Sequence, residues 1–166
     1  MVFRRLPKNR YNKLLLMEVL HIVPVDGNVC GRNKDYTGRS GQHGNKESRI
    51  EFLNWWKKQK DTYTSMADEI WGYAEPRFQE YESSRVQQEY LASRGFSIRA
   101  DLAGEKTAFI AEWGSGKPVL TFLGEFDALS SLQQEADCTE RRPIAGKTDG
   151  HGCGHHLLGT ASVAAV

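Results

Sequence analysis

The stretch Asp149-Gly-His-Gly-Cys-Gly-His-His-Leu-Leu-Gly-Thr160 constrains this chain more than any other. His151, Cys153 and His155 fall at i, i+2 and i+4, with a glycine in each gap. In an extended segment that alternation sends all three side chains to one side. The glycines leave the backbone free to bend around an ion and argue against a helix before His155. His156 follows, and the apolar, small-residue run from Leu157 to Val166 predicts a helix. The donors are therefore expected on a loop that enters a helix N-terminus.

A lone cysteine or histidine is more often a buried or surface residue than a ligand; four such groups within six residues are another matter. Imidazole with thiolate suits zinc and similar divalent ions. A structural zinc knuckle needs a second Cys/His pair at finger-like spacing. Cys30 and Cys138 stand alone, so a catalytic site completed by carboxylates and histidines elsewhere is the better reading. A metal-binding thiol must stay reduced, and three unevenly spaced cysteines make no disulfide framework, which predicts a cytoplasmic setting. Charge is nearly balanced, 22 basic against 21 acidic residues, and implies no nucleic-acid partner. The apolar run from Lys13 to Val25 is too short to span a bilayer, so no membrane role is expected.

Residues 1–47 show no sustained period, and Asp26 to Asn45 is rich in Gly, Asn, Asp, Arg and Lys. That composition predicts a mobile leader, with an ordered domain over 48–166. Ser48-Arg49-Ile50-Glu51 has the form of a capping box. After it, Leu53, Trp56, Tyr63, Met66, Ala67 and Ile70 recur at helical spacing, their aromatics expected in the core. Ala74-Glu75-Pro76 should end that helix. A second helix is expected from Tyr81 to Arg94, stopping at Gly95. Strand signals follow at Phe96–Leu102 and Thr107–Trp113. Pro118 to Gly124 is a near-continuous apolar run, as expected of a strand buried on both faces. Glu125 and Asp127 come directly after it, where open α/β sheets bind ligands. Trp113, Phe122 and Phe126 are expected in the core. The polar segment Ser130 to Gly150 would return the chain and carry Asp127 towards the His/Cys loop.

With these residues placed, the chain resembles the p-aminobenzoyl-glutamate hydrolase group of metallo-amidohydrolases, relatives of the aminoacylases, hippurate hydrolases and zinc carboxypeptidases. The likeness runs from about Ile50 to Val166. It is carried by Ile70-Trp71 with Glu75-Pro76-Arg77-Phe78, by Gly116-Lys117-Pro118-Val119, by Gly124-Glu125-Phe126-Asp127-Ala128-Leu129, and by Gly150-His151-Gly152-Cys153-Gly154-His155. The ordered set, ending in GHGCGH and LLGT, is the specific part.

The resemblance implies an α/β fold: the N-terminal part of a zinc-peptidase-like catalytic domain, helices packed on a mixed, largely buried sheet. It implies Cys153 and His155 as ligands in a site for two divalent metal ions, zinc or manganese. Asp127 matches the acidic residue that orients a ligand beside the metals. Glu125, His151 and His156 are candidate supporting residues, and His156 stands where a carboxylate or amide is commoner. The implied reaction is hydrolysis of the amide bond of an N-acyl amino acid or dipeptide. The metals would acidify water and polarise the scissile carbonyl, and a glutamate would shuttle the proton.

The family's Glu-Glu motif lies downstream of the GHGCGH loop and has no counterpart before Val166. The chain is therefore expected to be the N-terminal fragment of a longer hydrolase. The lid or dimerisation domain would be absent, the fragment inactive alone, and oligomerisation a property of the full-length parent. Readings from other classes are a non-catalytic metal-binding or interaction module, and a truncated gene product without function.

Overall fold

A computed structural model describes residues 19–24, 46–117 and 119–166, with side chains from residue 49 onward. The first helix, α1, spans Lys46–Tyr73. Its buried positions are Tyr63, Met66, Ala67 and Ile70, one stripe at helical spacing. The helix starts before Ser48, so Ser48–Glu51 lies inside it and does not cap it. The aromatic core expected along its whole length holds only for the second half. Leu53 and Trp56 are half-exposed, and the aromatics there cover one another, Trp56 stacking on Tyr63 at 5.6 Å and Phe52 on Trp55 at 6.1 Å.

The helix ends ahead of Glu75-Pro76 as expected, and Ala74 takes a left-handed turn at φ 49°. The second helix, α2, spans Tyr81–Ser93, with Gly95 just past its end at φ 91°. Its N-cap residue, Glu80, contributes no side-chain cap. Glu75 takes that role from upstream: its carboxylate accepts the Glu82 and Ser83 N–H groups at 2.9 and 2.8 Å and the Ser83 hydroxyl at 2.8 Å. A carboxylate on these otherwise unpaired donors also meets the positive end of the helix dipole.

A four-stranded mixed sheet lies beside the helices in the order β2-β3-β1-β4. Here β1 is Val19–Pro24, β2 Ser97–Leu102, β3 Glu105–Glu112 and β4 Val119–Gly124. Strand β1 pairs parallel with β3 and antiparallel with β4. A strand thus comes from within the stretch whose composition predicted a mobile leader; the other leader residues up to 45, with Cys30 and His43, lie outside the described residues, as does Pro118.

The sheet is mixed, as expected, and among the described side chains burial concentrates in the middle of β3, where Thr107, Ala108, Phe109 and Ala111 are inside. The expectation that β4 is buried on both faces fails: Val119, Leu120 and Leu123 are about half exposed. The physical reason is position. Strand β4 is an edge strand, and among the described elements α3 (His155–Ala164) packs against it. Trp113, also expected inside, is 50% exposed one residue beyond β3, whereas Phe126 is fully buried. Ile70, Leu91, Phe109, Phe126 and Val163 form the centre of the core between the three helices and β3. Each such side chain contributes about 1.5–3 kcal/mol on burial.

Candidate metal centre at the end of β4

Strand β4 runs straight into Glu125-Phe126-Asp127. Phe126 plugs the core against Phe109, and this anchors the residues on either side of it. Asp127 is buried at 3% exposure, while Glu125 stays partly open. Beyond them Leu129–Ser130 (β5) pairs antiparallel with Asp149–Gly150 (β6), Leu129 opposite Gly150. This two-rung ladder closes the polar excursion between the two pairs and sets the His/Cys loop beside Asp127. The segment after α1 is tied to the same place, since Ala128 donates its N–H to the Glu75 carbonyl at 2.7 Å and Pro76 bridges to Ala128.

The loop itself is not extended. Gly154 donates to the His151 carbonyl at 2.9 Å and is left-handed at φ 88°, turning the chain into α3. The expected common direction of His151, Cys153 and His155 is therefore split by the turn. Cys153 and His155 face Asp127: the thiol lies 3.9 Å and the His155 Nδ1 3.2 Å from the Asp127 carbonyl oxygen. His151 goes the other way, into the interior.

His155 is the centre of the arrangement. Its Nδ1 lies 2.8 Å from Asp127 Oδ1, and its Nε2 lies 3.2 Å from Glu125 Oε2. Potential ligand atoms of Glu125, Asp127 and His155 all fall within 4.8 Å of one another. With Nδ1 donating to the Asp127 carboxylate, the Nε2 lone pair faces a second carboxylate. Two acceptors at that separation are held together only by a proton or a cation between them, so the donor set fits a divalent ion. Glu125, placed by the sequence reading among the supporting residues, stands directly against the ring nitrogen. Cys153 lies beside this group and is not one of its three members.

His151 and His156 are buried together against Trp71, the two imidazoles 5.1 Å apart and His156 edge-on to the indole at 5.0 Å. Neither ring nitrogen of His151 makes a well-formed hydrogen bond among the described residues. Burial, reinforced by the neighbouring His156, pushes its pKa down to about 4. Burial also lowers that of His156. Both are thus neutral parts of the wall behind the site. Glu80 is a further buried group that the sequence did not single out. Thr107 donates to its Oε2 at 2.9 Å, Oε1 has no partner among the described residues, and burial pushes its carboxyl up to about 7.

A cleft of about 470 Å³ opens over His155 and Asp127, with Arg77, Ser130 and Asp149 on its walls. A second cavity, about 290 Å³, lies between Tyr63, Tyr90, Arg94, Trp113 and Val163, and no histidine, cysteine, aspartate or glutamate among the described residues lines it.

No family model matches the chain. Over 107 residues, however, it is 44% identical to one of the subunits of the p-aminobenzoyl-glutamate hydrolase of Escherichia coli (strain K12). This chain is similar to that hydrolase component. The alignment takes in 64% of the chain and 22% of the relative, so the chain spans about a fifth of that protein's length. Its mixed α/β architecture, three helices against small sheets, is compatible with part of a peptidase-like catalytic domain. Among the described residues no helix is long and apolar enough to cross a membrane.

Proposed function

We propose that the protein to which these residues belong hydrolyses the amide bond of an N-acyl amino acid, such as an aroyl-glutamate, using divalent metal ions. The observation that carries this reading is His155 held between two carboxylates, Asp127 on one nitrogen and Glu125 facing the other. The name of the similar hydrolase supports the substrate class and a small-molecule substrate. It also supports assembly with a second kind of polypeptide.

Residue by residue, the geometry supports a division of labour. Asp127 accepts the Nδ1–H of His155, which fixes the tautomer and turns the Nε2 lone pair outward. His155 and Glu125 then offer a nitrogen and an oxygen at the mouth of the cleft. Cys153, on the same side of the turn, would add a thiolate, as the family resemblance implies for that position. A bound zinc or manganese pair would supply the Lewis acidity that an amide requires. The buried histidine pair and Trp71 keep water from the rear of the site.

We also propose that the 166 residues alone bind metal without turning over substrate. Calorimetric titration of the purified chain with zinc or manganese, beside an assay of p-aminobenzoyl-glutamate cleavage, tests both parts. Metal uptake lost on replacing Cys153 and His155 by alanine is the expected result. Uptake indifferent to those changes would sink the metal reading, and robust turnover by the chain alone would sink the second part.

A further inference from the structure

The cleft over His155 is lined by Asp127 and Asp149, with Glu125 close by against His155. An anionic substrate entering it meets like charges that repel it. Apart from any bound metal, one fixed positive charge stands on the cleft wall: among the described residues Arg77 is the only lysine or arginine lining it. Among the described residues Arg77 forms no ion pair with a carboxylate, although charged neighbours elsewhere do, as Arg85 does with Glu82 and Glu89. Its guanidinium instead rests near the Phe78 ring, 5.9 Å from the centroid, a contact that takes up none of its N–H donors.

The turn that presents Arg77 is firmly built. Pro76 bridges to Ala128, the residue after Asp127, and Gln79 donates its N–H to the Pro76 carbonyl at 3.0 Å. Phe78 is held at φ 68°, a left-handed conformation that bulky side chains rarely take. The segment is therefore positioned by the same backbone that positions Asp127. Ser130 and Asp149, bonded to each other at 2.8 Å, form the neighbouring wall.

We infer that Arg77 is the carboxylate receptor of this cleft. It takes a carboxylate of the amino-acid half of the substrate in a two-pronged pair while the amide lies towards His155. The inference rests on the hydrolytic reading above and deepens it by naming the residue that receives the substrate's free carboxylate. Arginine suits the task because its planar fork matches both oxygens, which lysine cannot do. Arg77 thus acts in specificity and not in the proton transfers.

The test uses the full 166-residue chain with zinc and two probes, p-aminobenzoyl-glutamate and its uncharged dimethyl ester, titrated by NMR. Arg77→Gln should weaken the anion by about tenfold or more, the loss of one charge-assisted pair. Arg77→Lys should recover part of that loss, and the diester should bind all three proteins equally. An anion affinity unchanged in Arg77→Gln, an equal loss for both probes, or no binding of the anion by the wild-type chain would each overturn the assignment. Zinc titration of the Cys153→Ala/His155→Ala variant reports separately on the underlying reading. Zinc uptake that needs those residues, beside an unaltered Arg77→Gln, removes the arginine proposal alone. Zinc uptake that does not need them removes both.

Discussion

The Nδ1 of His155 lies 2.8 Å from a carboxylate oxygen of Asp127 that is almost wholly buried. A carboxylate only accepts, so this contact favours the proton on Nδ1 and leaves the Nε2 lone pair facing Glu125. An amide in place of the carboxylate can donate to Nδ1 and so reverse the tautomer, placing a proton on Nε2. Asp127→Asn should therefore keep the fold, judged by circular dichroism, and weaken zinc binding by about 10–100-fold in calorimetry. Full affinity in that variant would mean that Asp127 does not orient the ring.

Glu75 is better explained by architecture than by chemistry. Its two carboxylate oxygens accept three hydrogen bonds at the start of α2. Glu75→Ala should cost about 1–2 kcal/mol in urea unfolding, the size of a lost helix cap. Glu75→Gln, which keeps an acceptor, should cost less. Equal losses in the two variants would speak against capping.

Two buried groups give pH dependences of opposite sign. His151 has a folded pKa of about 4 against an ordinary 6.5. The unfolded chain therefore takes up a proton that the folded chain refuses, and stability present above pH 6.5 is lost as pH falls towards 4. The contribution is on the order of 3 kcal/mol. Glu80 is raised from 4.5 to about 7, so its contribution is complete below pH 4.5 and is lost as pH rises through 7. Urea midpoints measured from pH 4 to 8 separate the two. Relative to wild type, His151→Phe should improve as pH falls below 6.5, and Glu80→Gln should improve as pH rises above 4.5. Parallel curves for all three proteins would remove both assignments.

Gly159 is the point where α3 touches the strand end. A Cβ there would lie 2.8 Å from the Glu125 carbonyl oxygen and 3.1 Å from the Phe126 Cβ. Neither neighbour is a flexible tip, so Gly159→Ala must push the helix from the loop. A destabilisation of about 1–3 kcal/mol is expected, together with weaker metal uptake, since His155 and Glu125 would separate. Loss of stability with metal affinity intact would show that the two elements move as one body.

Local rules made part of this fold legible and left the rest dark. Pro76 and Gly95 ended helices as their backbone limits require, and the alternation of Phe96, Ile98, Ala100 and Leu102 with polar residues identified β2. Asp127 and His155 were visible because unusual side chains cluster at a strand end and beside glycines. The direction of His151 was not, since one left-handed residue, Gly154, decides it through a hydrogen bond rather than through side-chain pattern. Glu125 looked secondary because nothing in the spacing says which ring nitrogen a neighbour will face. The exposure of Leu120 and Leu123 was hidden for a similar reason: an edge strand and a central one can carry the same apolar run, and only the pairing order distinguishes them. Likewise β1 has ordinary strand residues, but its place in the sheet depends on partners far along the chain.

That last placement has a consequence for how the molecule is made. Val19 is in register with Phe109 on one side and Gly124 on the other. A ribosome delivers the first of these residues long before the other two. Strand β1 must therefore wait with its pairing incomplete until at least residue 124 has been made, and closing so long a loop is slow.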